Sequence, residues 1–398
     1  MRERLTALAA AEGLDTAPDV YGDGVVRQLE ERVADLLGKP DAAFFPTGTM
    51  AQQAALRCWA ARTGNPAVAI HPLAHPETHE RAALTTLTGL RTLHPTTAPR
   101  LPTAAEIGDL DEPFGTLMLE LPLREAGFVL PTWDELTAMV QAGRDRGAIV
   151  HFDGARLWEC PTHFGKPLER IAALADSVYV SFYKSLGGLS GAALAGPQDL
   201  IAEAKAWRHR YGGNLFQQFP AALAALYGLD AELPRLPSYV THARMIAEAL
   251  RQALGESLPW FRIHPAPPHT HQFALWLPFP ARTLADASLR LEEETRTSLF
   301  RRWADTDLPD VAKTEVTVSA SALDWSAAEV KKATRTFASY LGLPRTTWPR
   351  RSSASATPPR SCSRWQTEAA CRKQSAALAS SPVSWYSLPR VNRVRAQL

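Results

Sequence analysis

The chain has 398 residues, 45% of them hydrophobic and 21% charged, and a formal net charge of +2 at pH 7. This balance is typical of a globular protein, and it excludes collagen-like, coiled-coil and small disulfide-stapled chains. Ten Lys and Arg against one acid lie in residues 345–398, so the body keeps 33 basic and 40 acidic residues, which disfavours a nucleic-acid partner.

Short apolar strands alternate with helices along the first half of the chain. Residues 1–16 are predicted to form a helical arm, and residues 25–37 have helical spacing with Gly38 as a C-cap. Further helices are predicted at 50–62 and 133–145, and strands at 42–45, 68–71, 116–121, 148–152 and 177–182. This alternation predicts an α/β fold with a mostly parallel sheet, in a large domain of residues 17–230.

The second half predicts a smaller α+β domain over residues 231–343. Its predicted helices and strands lie at 239–254, 271–277, 284–297, 313–319 and 327–341. Residues 344–398 are rich in Ser, Arg and Pro and predict a disordered tail. No run of 18 apolar residues and no signal-peptide core are found, so we expect a cytoplasmic protein without membrane segments.

Two polar residues follow neighbouring predicted strands. Asp153 comes directly after the strand at 148–152, ahead of Gly-Ala-Arg, and Lys184 comes after the strand at 177–182, ahead of Ser-Leu-Gly-Gly. In open α/β sheets, ligands bind outside the carboxyl ends of the strands. We therefore expect the Asp153 carboxylate and the Lys184 amine to face one crevice.

A carboxylate and an amine in one crevice suit the chemistry of pyridoxal phosphate (PLP). A lysine forms a Schiff base with the cofactor aldehyde, and a carboxylate keeps the pyridine nitrogen protonated, so that the ring accepts electrons from a bond broken at Cα. Either residue alone would more simply be a surface lysine or a turn aspartate. One predicted strand is followed by Asp-Gly-Ala-Arg, and the other is followed by Lys184 and then Gly-Gly. The two strand ends together favour a cofactor site.

Two further segments could complete such a site. Pro-Thr-Gly-Thr at 46–49 joins a predicted strand to a helix, where free N–H groups and hydroxyls bind phosphate, although the same motif is also an ordinary turn and N-cap. Histidines recur at i, i+4 and i+8 around His75, but prolines interrupt the helix that a metal-binding face would need, so no metal site is predicted. The functional alternative is that His75 stacks on the cofactor ring and shuttles protons.

Several segments match the pattern of one enzyme family. They are Val-Tyr-Gly-Asp-Gly at 20–24, Phe-Pro-Thr-Gly-Thr-Met-Ala at 45–51, the His75 loop, His-Phe-Asp-Gly-Ala-Arg at 151–156, Ser-Phe-Tyr-Lys-Ser-Leu-Gly-Gly at 181–188 and Trp-Arg-His-Arg-Tyr-Gly-Gly at 207–213. On these segments, and over about residues 17–343, the chain resembles the low-specificity threonine aldolases of the β-eliminating lyase group. The resemblance implies the fold of fold-type I PLP enzymes, with an aspartate aminotransferase-like large domain and a smaller C-terminal domain.

The resemblance also implies roles at the centre of the site. Lys184 would be the lysine that carries the cofactor, and Asp153 would pair with the pyridine nitrogen. Arg156 would bind the substrate carboxylate, a task that suits a planar guanidinium. His75 would stack on the ring.

At the phosphate end of the cofactor, the resemblance implies four more residues. Gly48 and Thr49 would surround the phosphate, and Arg208 would lie near it. Tyr21 would reach the phosphate of a neighbouring subunit, so a homodimer or homotetramer with sites at the subunit interface is expected.

The chain departs from the family pattern at three places. No Arg-Ser-Asp-Thr segment precedes Tyr21, the usual Glu-Asn-Thr-His reads Glu-Leu-Pro-Leu at 120–123, and no arginine lies in residues 314–318. The missing histidine is the one that faces the substrate hydroxyl in the family. These departures leave the preferred β-hydroxy amino acid open.

The residues and the resemblance together indicate a PLP-dependent lyase. We expect retro-aldol cleavage of L-threonine, L-allo-threonine or a related β-hydroxy-α-amino acid to glycine and an aldehyde, in threonine catabolism or glycine biosynthesis. Lys184, His75 and Arg156 are the expected catalytic residues. The alternatives are β-elimination or another amino-acid lyase reaction on the same scaffold, and a weakly catalytic PLP-binding protein.

Overall fold

A computed structural model describes residues 17–341 and, in the arm before them, Thr6 alone. The predicted arm at 1–16 and the predicted tail at 344–398 therefore lie outside the described residues, Thr6 excepted. The strands are β1 Asp41–Phe45, β2 Ala67–Ala69, β3 Arg91–Leu93, β4 Thr116–Glu120, β5 Ile149–Gly154, β6 Ser177–Ser181, β7 Ala192–Gly196, β8 Arg262–His264, β9 Gln272–Leu277, β10 Ala304–Asp305 and β11 Ala312–Thr317.

Helices connect these strands and cover the sheets. Their bounds are Gly24–Leu37, Gly48–Thr63, His75–Thr78, Ala83–Thr88, Ala104–Gly108, Trp133–Asp145, Pro161–Phe164, Leu168–Ala172, Gln198–Arg210, Phe219–Ala231, Leu236–Gly255, Ala281–Thr295 and Ala327–Ser339, with 3-10 turns at Leu157–Glu159, Leu233–Arg235 and Ala320–Ala322. No helix in this part of the chain is long and apolar enough to cross a bilayer.

The larger sheet has seven strands in the order β1-β7-β6-β5-β4-β2-β3. Strands β6, β5, β4, β2 and β3 are parallel, and β7 pairs antiparallel with both β1 and β6. The central strands are buried along their whole length, as expected where helices cover both faces of a parallel sheet. The predicted α/β class with a mostly parallel sheet is confirmed.

The register of this sheet brings polar residues together at one edge. Glu120, at the end of β4, is paired with Asp153 of β5, and Asp153 is paired with Tyr179 of β6. Because β4, β5 and β6 are parallel, their carboxyl ends meet at this edge, and Lys184 follows β6 there. The edge is where an open α/β sheet binds ligands.

A second, four-stranded sheet lies later in the chain, in the antiparallel order β10-β11-β9-β8. It has its own apolar core, which includes Phe273, Leu275, Val316 and Phe337. The helix Leu236–Gly255 contributes to both cores, since its first turn packs in the larger one and its later turns pack here. The proposed domain boundary at residue 231 stays a prediction.

Predicted and observed elements agree best where apolar periodicity is strong. The helix predicted at 133–145 has the bounds Trp133–Asp145, because Thr132 caps its first turn through a capping box with Glu135. Gly38 has a φ of 59° and ends the helix Gly24–Leu37, as predicted. Strand β7 was not predicted, since Ala-Ala-Leu-Ala-Gly lacks the β-branched residues that mark a strand.

Candidate active site

Asp153 lies within β5, one residue before its end, and its side chain is buried. Its Oδ1 accepts a hydrogen bond from the N–H of Ala155 at 3.1 Å, and it forms no ion pair with any residue that the structure describes. Burial raises the pKa of Asp153, against the opposing effect of Lys184 and His75. A buried carboxylate that lacks a cationic partner suits a site for a cationic ligand group.

Lys184 follows β6 and lies within electrostatic range of Asp153. Burial and then the charge of Arg156 lower the pKa of Lys184, the charges of Asp153 and Glu120 oppose this shift, and the pKa comes to about 8. A lysine with this pKa is partly neutral near pH 8, which a nucleophilic amine needs. The two residues predicted from strand ends therefore act on each other's ionisation, and the crevice that they are expected to share stays a prediction.

Lys184 and Ser185 line a cleft of about 420 Å³. The cleft is also lined by Tyr227 and Glu232, and by Ser319–Ser321 from the turn after β11. Its volume lies in the range that small-molecule sites occupy. Residues from both sheets therefore meet at the lysine.

Glu120 is a site residue that the strand-end argument missed, although it ends β4 as Asp153 nearly ends β5. Its Oε2 accepts the N–H of His75 at 2.7 Å, and its Oε1 accepts the N–H of Arg124 at 3.1 Å. Burial, followed by the Asp153 charge, raises the pKa of Glu120 to about 7. Glu120 thus fixes the backbone of the His75 loop and shares the negative charge of this edge with Asp153.

His75 is held between two glutamates. Its backbone donates to Glu120, and its Nδ1 lies 3.2 Å from Oε1 of Glu80, which is itself buried. The neighbouring His79 pairs with Glu125 at 2.8 Å. His75 and His79 therefore bind separate carboxylates, and His71 binds the Ala98 carbonyl at 2.8 Å. No metal-binding cluster of His, Cys, Asp or Glu occurs among the described residues.

Gly48 begins the helix Gly48–Thr63, whose N-cap Thr47 accepts the N–H of Met50 at 3.3 Å. A side chain at Gly48 would collide with the hydroxyl of Tyr179, which is buried beside Asp153. Only glycine allows this close approach of the helix N-terminus to the strand ends. The free N–H groups of that first turn suit an anion, and the role of Gly48 and Thr49 at the cofactor phosphate stays a prediction.

We expect Gly48→Ala to destabilise the protein by about 1–3 kcal/mol and to weaken PLP binding, because the added methyl group overlaps the Tyr179 hydroxyl. Adding Tyr179→Phe removes that oxygen and is expected to recover part of both losses. Thermal unfolding and cofactor titration of the single and double variants measure the recovery. Gly108→Ala is the matched control, since its Cβ would meet nothing within 4 Å; equal losses at both glycines would contradict the expectation.

Arg156 follows Asp153 by three residues and carries an unpaired polar atom. Its Nε is buried and makes no hydrogen bond among the described residues, while its guanidinium lies 5.3 Å from the centroid of the Phe128 ring. Its charge acts on both Lys184 and Glu159. A half-buried guanidinium whose Nε donor is unused among the described residues, and whose charge acts on the lysine, is suited to an anionic substrate group.

Two predicted residues make their contacts elsewhere. The Arg208 guanidinium donates to the Phe44 carbonyl at 2.5 Å and pairs with Glu30 at 3.3 Å, inside the protein. Tyr21 is 56% exposed and packs edge-on against Phe216. Within the described residues neither contacts Lys184 or Asp153, and their roles at the cofactor phosphate stay predictions.

The residues present fit PLP. Lys184 is a partly neutral amine, Asp153 is a buried carboxylate without a cationic partner, and Arg156 has an unused donor. The first turn after Thr47 offers N–H groups where only a glycine fits. An amine, a carboxylate, a guanidinium and an anion-binding turn are the set of groups that this cofactor and an amino acid require.

Comparison with known proteins agrees with this set. The sequence model of the β-eliminating lyase family matches residues 1–262. Low-specificity L-threonine aldolase 1 of Arabidopsis thaliana is 27% identical over 301 residues, covering 71% of this chain and 80% of the relative. The low specificity L-threonine aldolase of Escherichia coli K12 is 32% identical over 259 residues, covering 63% and 76%.

A solved structure shares the whole fold. The crystal structure of a candidate L-allo-threonine aldolase from Listeria monocytogenes superposes with a TM-score of 0.80 at 35% identity, covering 85% of this chain and 93% of that chain. Both sheets therefore have counterparts in a protein of clear sequence similarity.

Proposed function

The chain belongs to the β-eliminating lyase family of PLP-dependent enzymes, and from that premise we propose that it cleaves a β-hydroxy-α-amino acid, L-threonine or L-allo-threonine first among them, to glycine and an aldehyde. The observation that carries the proposal is the partly neutral Lys184 within electrostatic range of the buried Asp153. The names of the similar aldolases support the choice of substrate. Threonine catabolism or glycine formation would be the metabolic role.

The residues of this chain divide the work of binding. Lys184 would hold the cofactor through its amine, and Asp153 would hold the proton at the ring nitrogen. Arg156 would bind the substrate carboxylate through the donors that are unused within the protein. When bound, the cofactor supplies an electron-poor ring that accepts the electron pair of the bond broken at Cα.

The reaction also needs one proton to leave the β-hydroxyl and another to be added at Cα. His75, oriented by Glu80 and by its backbone bond to Glu120, is positioned to take the proton of the β-hydroxyl as the Cα–Cβ bond breaks. Lys184 is suited to return a proton to Cα, because its pKa lies near 8. Loss of the hydroxyl proton and gain of one at Cα balance the conversion to aldehyde and glycine.

We also propose a cytoplasmic homodimer or homotetramer with its sites at the interface. Large apolar side chains are exposed near the cleft and beside Tyr21, and a second copy would cover them: Tyr21, Tyr183, Leu189, Phe216 and Tyr227. Tyr21 and Phe216 pack together, and Tyr227 lines the cleft. Exposed apolar groups that lie together mark interaction surfaces. Tyr21 would then reach the cofactor phosphate of the neighbouring copy.

The reaction is tested by product analysis. Purified protein loaded with PLP is incubated with L-threonine, L-allo-threonine, L-serine and bulkier β-hydroxy amino acids. Glycine and aldehyde are both measured, and retro-aldol cleavage should release them in equal amounts. We expect glycine to be released from at least one of them, and from threonine or allo-threonine fastest. Release of ammonia and a 2-oxo acid instead would indicate β-elimination, and binding of PLP without any turnover would leave a cofactor-binding protein.

A further inference from the structure

A buried ion pair connects the segment after β5 with the segment before β9, next to the loop that carries Lys184. Glu159 lies in the turn Leu157–Glu159 that follows β5, and His271 directly precedes β9 of the second sheet. The Nε2 of His271 lies 3.1 Å from Oε1 of Glu159, and the two side chains are 4% and 0% exposed. Burying such a pair costs desolvation free energy, which is offset only where the pair has good geometry and further hydrogen bonds.

The surroundings of His271 favour its charged form. Its Nδ1 donates to the carbonyl of Val318 at 2.5 Å, and its Nε2 faces a carboxylate. A carbonyl oxygen cannot donate, so Nδ1 must carry a proton. Nε2 lies at ion-pair distance from the Glu159 carboxylate and makes no hydrogen bond among the described residues. Glu159 raises the pKa of His271, although burial opposes this most strongly and Arg156 opposes it too. The ring of Tyr239 lies 6.0 Å away and brings no charge.

The same glutamate oxygen binds the residue next to Lys184. The Ser185 hydroxyl donates to Oε1 of Glu159, so this oxygen receives both Ser185 and His271. On the other side, Val318 accepts from His271 and directly precedes Ser319. Ser185 and Ser319 both line the cleft that contains Lys184. One buried chain of contacts therefore runs from the lysine loop to the segment after β11 that lines the same cleft.

We propose that Glu159 and His271 are positioning residues for Lys184, which fix the lysine loop through Ser185 and the cleft-lining segment after β11 through Val318. The proposal rests on the proposed role of Lys184. Without the carboxylate, Ser185 loses its acceptor and His271 loses its counter-charge, so the loop and the second sheet are free to separate. Small displacements of a reacting group lower turnover without abolishing binding of the substrate.

The test compares Glu159→Gln, Ser185→Ala and wild type. Glu159→Gln removes the charge at nearly constant size. Ser185→Ala removes one hydroxyl and leaves the ion pair in place. The second variant therefore tests the proposal even if Glu159→Gln does not fold. We expect PLP to bind about tenfold more weakly to both, the pH midpoint of the cofactor's visible band to shift, and kcat to fall roughly tenfold or more with KM within about twofold. Glu256→Gln, which breaks the exposed pair with Arg335, is the control and should change none of these.

Borohydride reduction followed by peptide mapping separates the two proposals. Cofactor found on Lys184 in wild type supports its proposed role, and its absence there overturns that role whatever the variants do. If Lys184 is labelled but the variants keep wild-type cofactor affinity, band midpoint and kcat, the positioning proposal is wrong. A lower melting temperature with those three quantities unchanged would mean a purely structural pair and would also overturn it.

Discussion

Lys184→Ala is expected to lose the visible absorption band of the bound cofactor and to lower the rate of glycine release by about 10³-fold or more. The reason is that no other lysine among the described residues lines that cleft, so the cofactor loses its covalent anchor and the reaction its proton donor at Cα. The absorbance spectrum after PLP addition and removal of excess cofactor, together with the product assay, measures both effects.

Lys39→Ala is the matched control for this change. Lys39 is another lysine whose pKa burial lowers, but its Nζ binds the Ala175 carbonyl at 2.5 Å, away from the strand ends that carry the site. We expect its spectrum to match that of wild type. A Lys184→Ala variant with the full wild-type band would remove the basis of the proposed function.

Asp153→Asn should lower kcat by a factor on the order of 10²–10³, because an amide cannot hold the proton on the ring nitrogen as a carboxylate does. The same change removes a charge that raises the pKa of Lys184, so that pKa should fall below about 8. The rate at which cofactor-free protein recombines with PLP, measured against pH, reports the lysine directly, and its midpoint should move to lower pH.

Asp176→Asn is the control for the loss of a carboxylate that is hydrogen-bonded to the same pair of strands. Asp176 accepts the N–H of Val150 at 2.8 Å, at the opposite end of the same pair of strands. Its replacement should reduce stability and leave the recombination midpoint unchanged. If Asp153→Asn and Asp176→Asn shift the midpoint equally, Asp153 does not act on Lys184 through proximity.

Much of the fold follows from local patterns. The predicted helix at 133–145 and the helix ended by Gly38 have capping signals in neighbouring residues, so their bounds could be predicted closely. Strand β7 escaped prediction because its Ala-rich residues are held by their neighbours β1 and β6 rather than by their own preference. The short helix His75–Thr78 was not predicted because the prolines around His75 were expected to interrupt a helix, whereas Pro76 lies in its first turn, where proline is tolerated.

The candidate site divides in the same way. Asp153 and Lys184 could be predicted because parallel strands place their carboxyl ends at one edge, which makes chain order informative about space. Glu120 follows the same rule and could have been found by it. Arg208 could not be placed, because its partners Glu30 and Phe44 are far from it in the chain.

The sequence by itself determined the family, the cofactor and the strand ends that carry the site, because these depend on short motifs and on apolar runs whose meaning is local. Only the tertiary structure decided that Glu159 meets His271 beneath Ser185, and that Tyr179 leaves room for a glycine alone at position 48. Those contacts join residues as far as 131 positions apart, from Gly48 to Tyr179, and their energies arise from burial and pairing that exist once the sheets have packed.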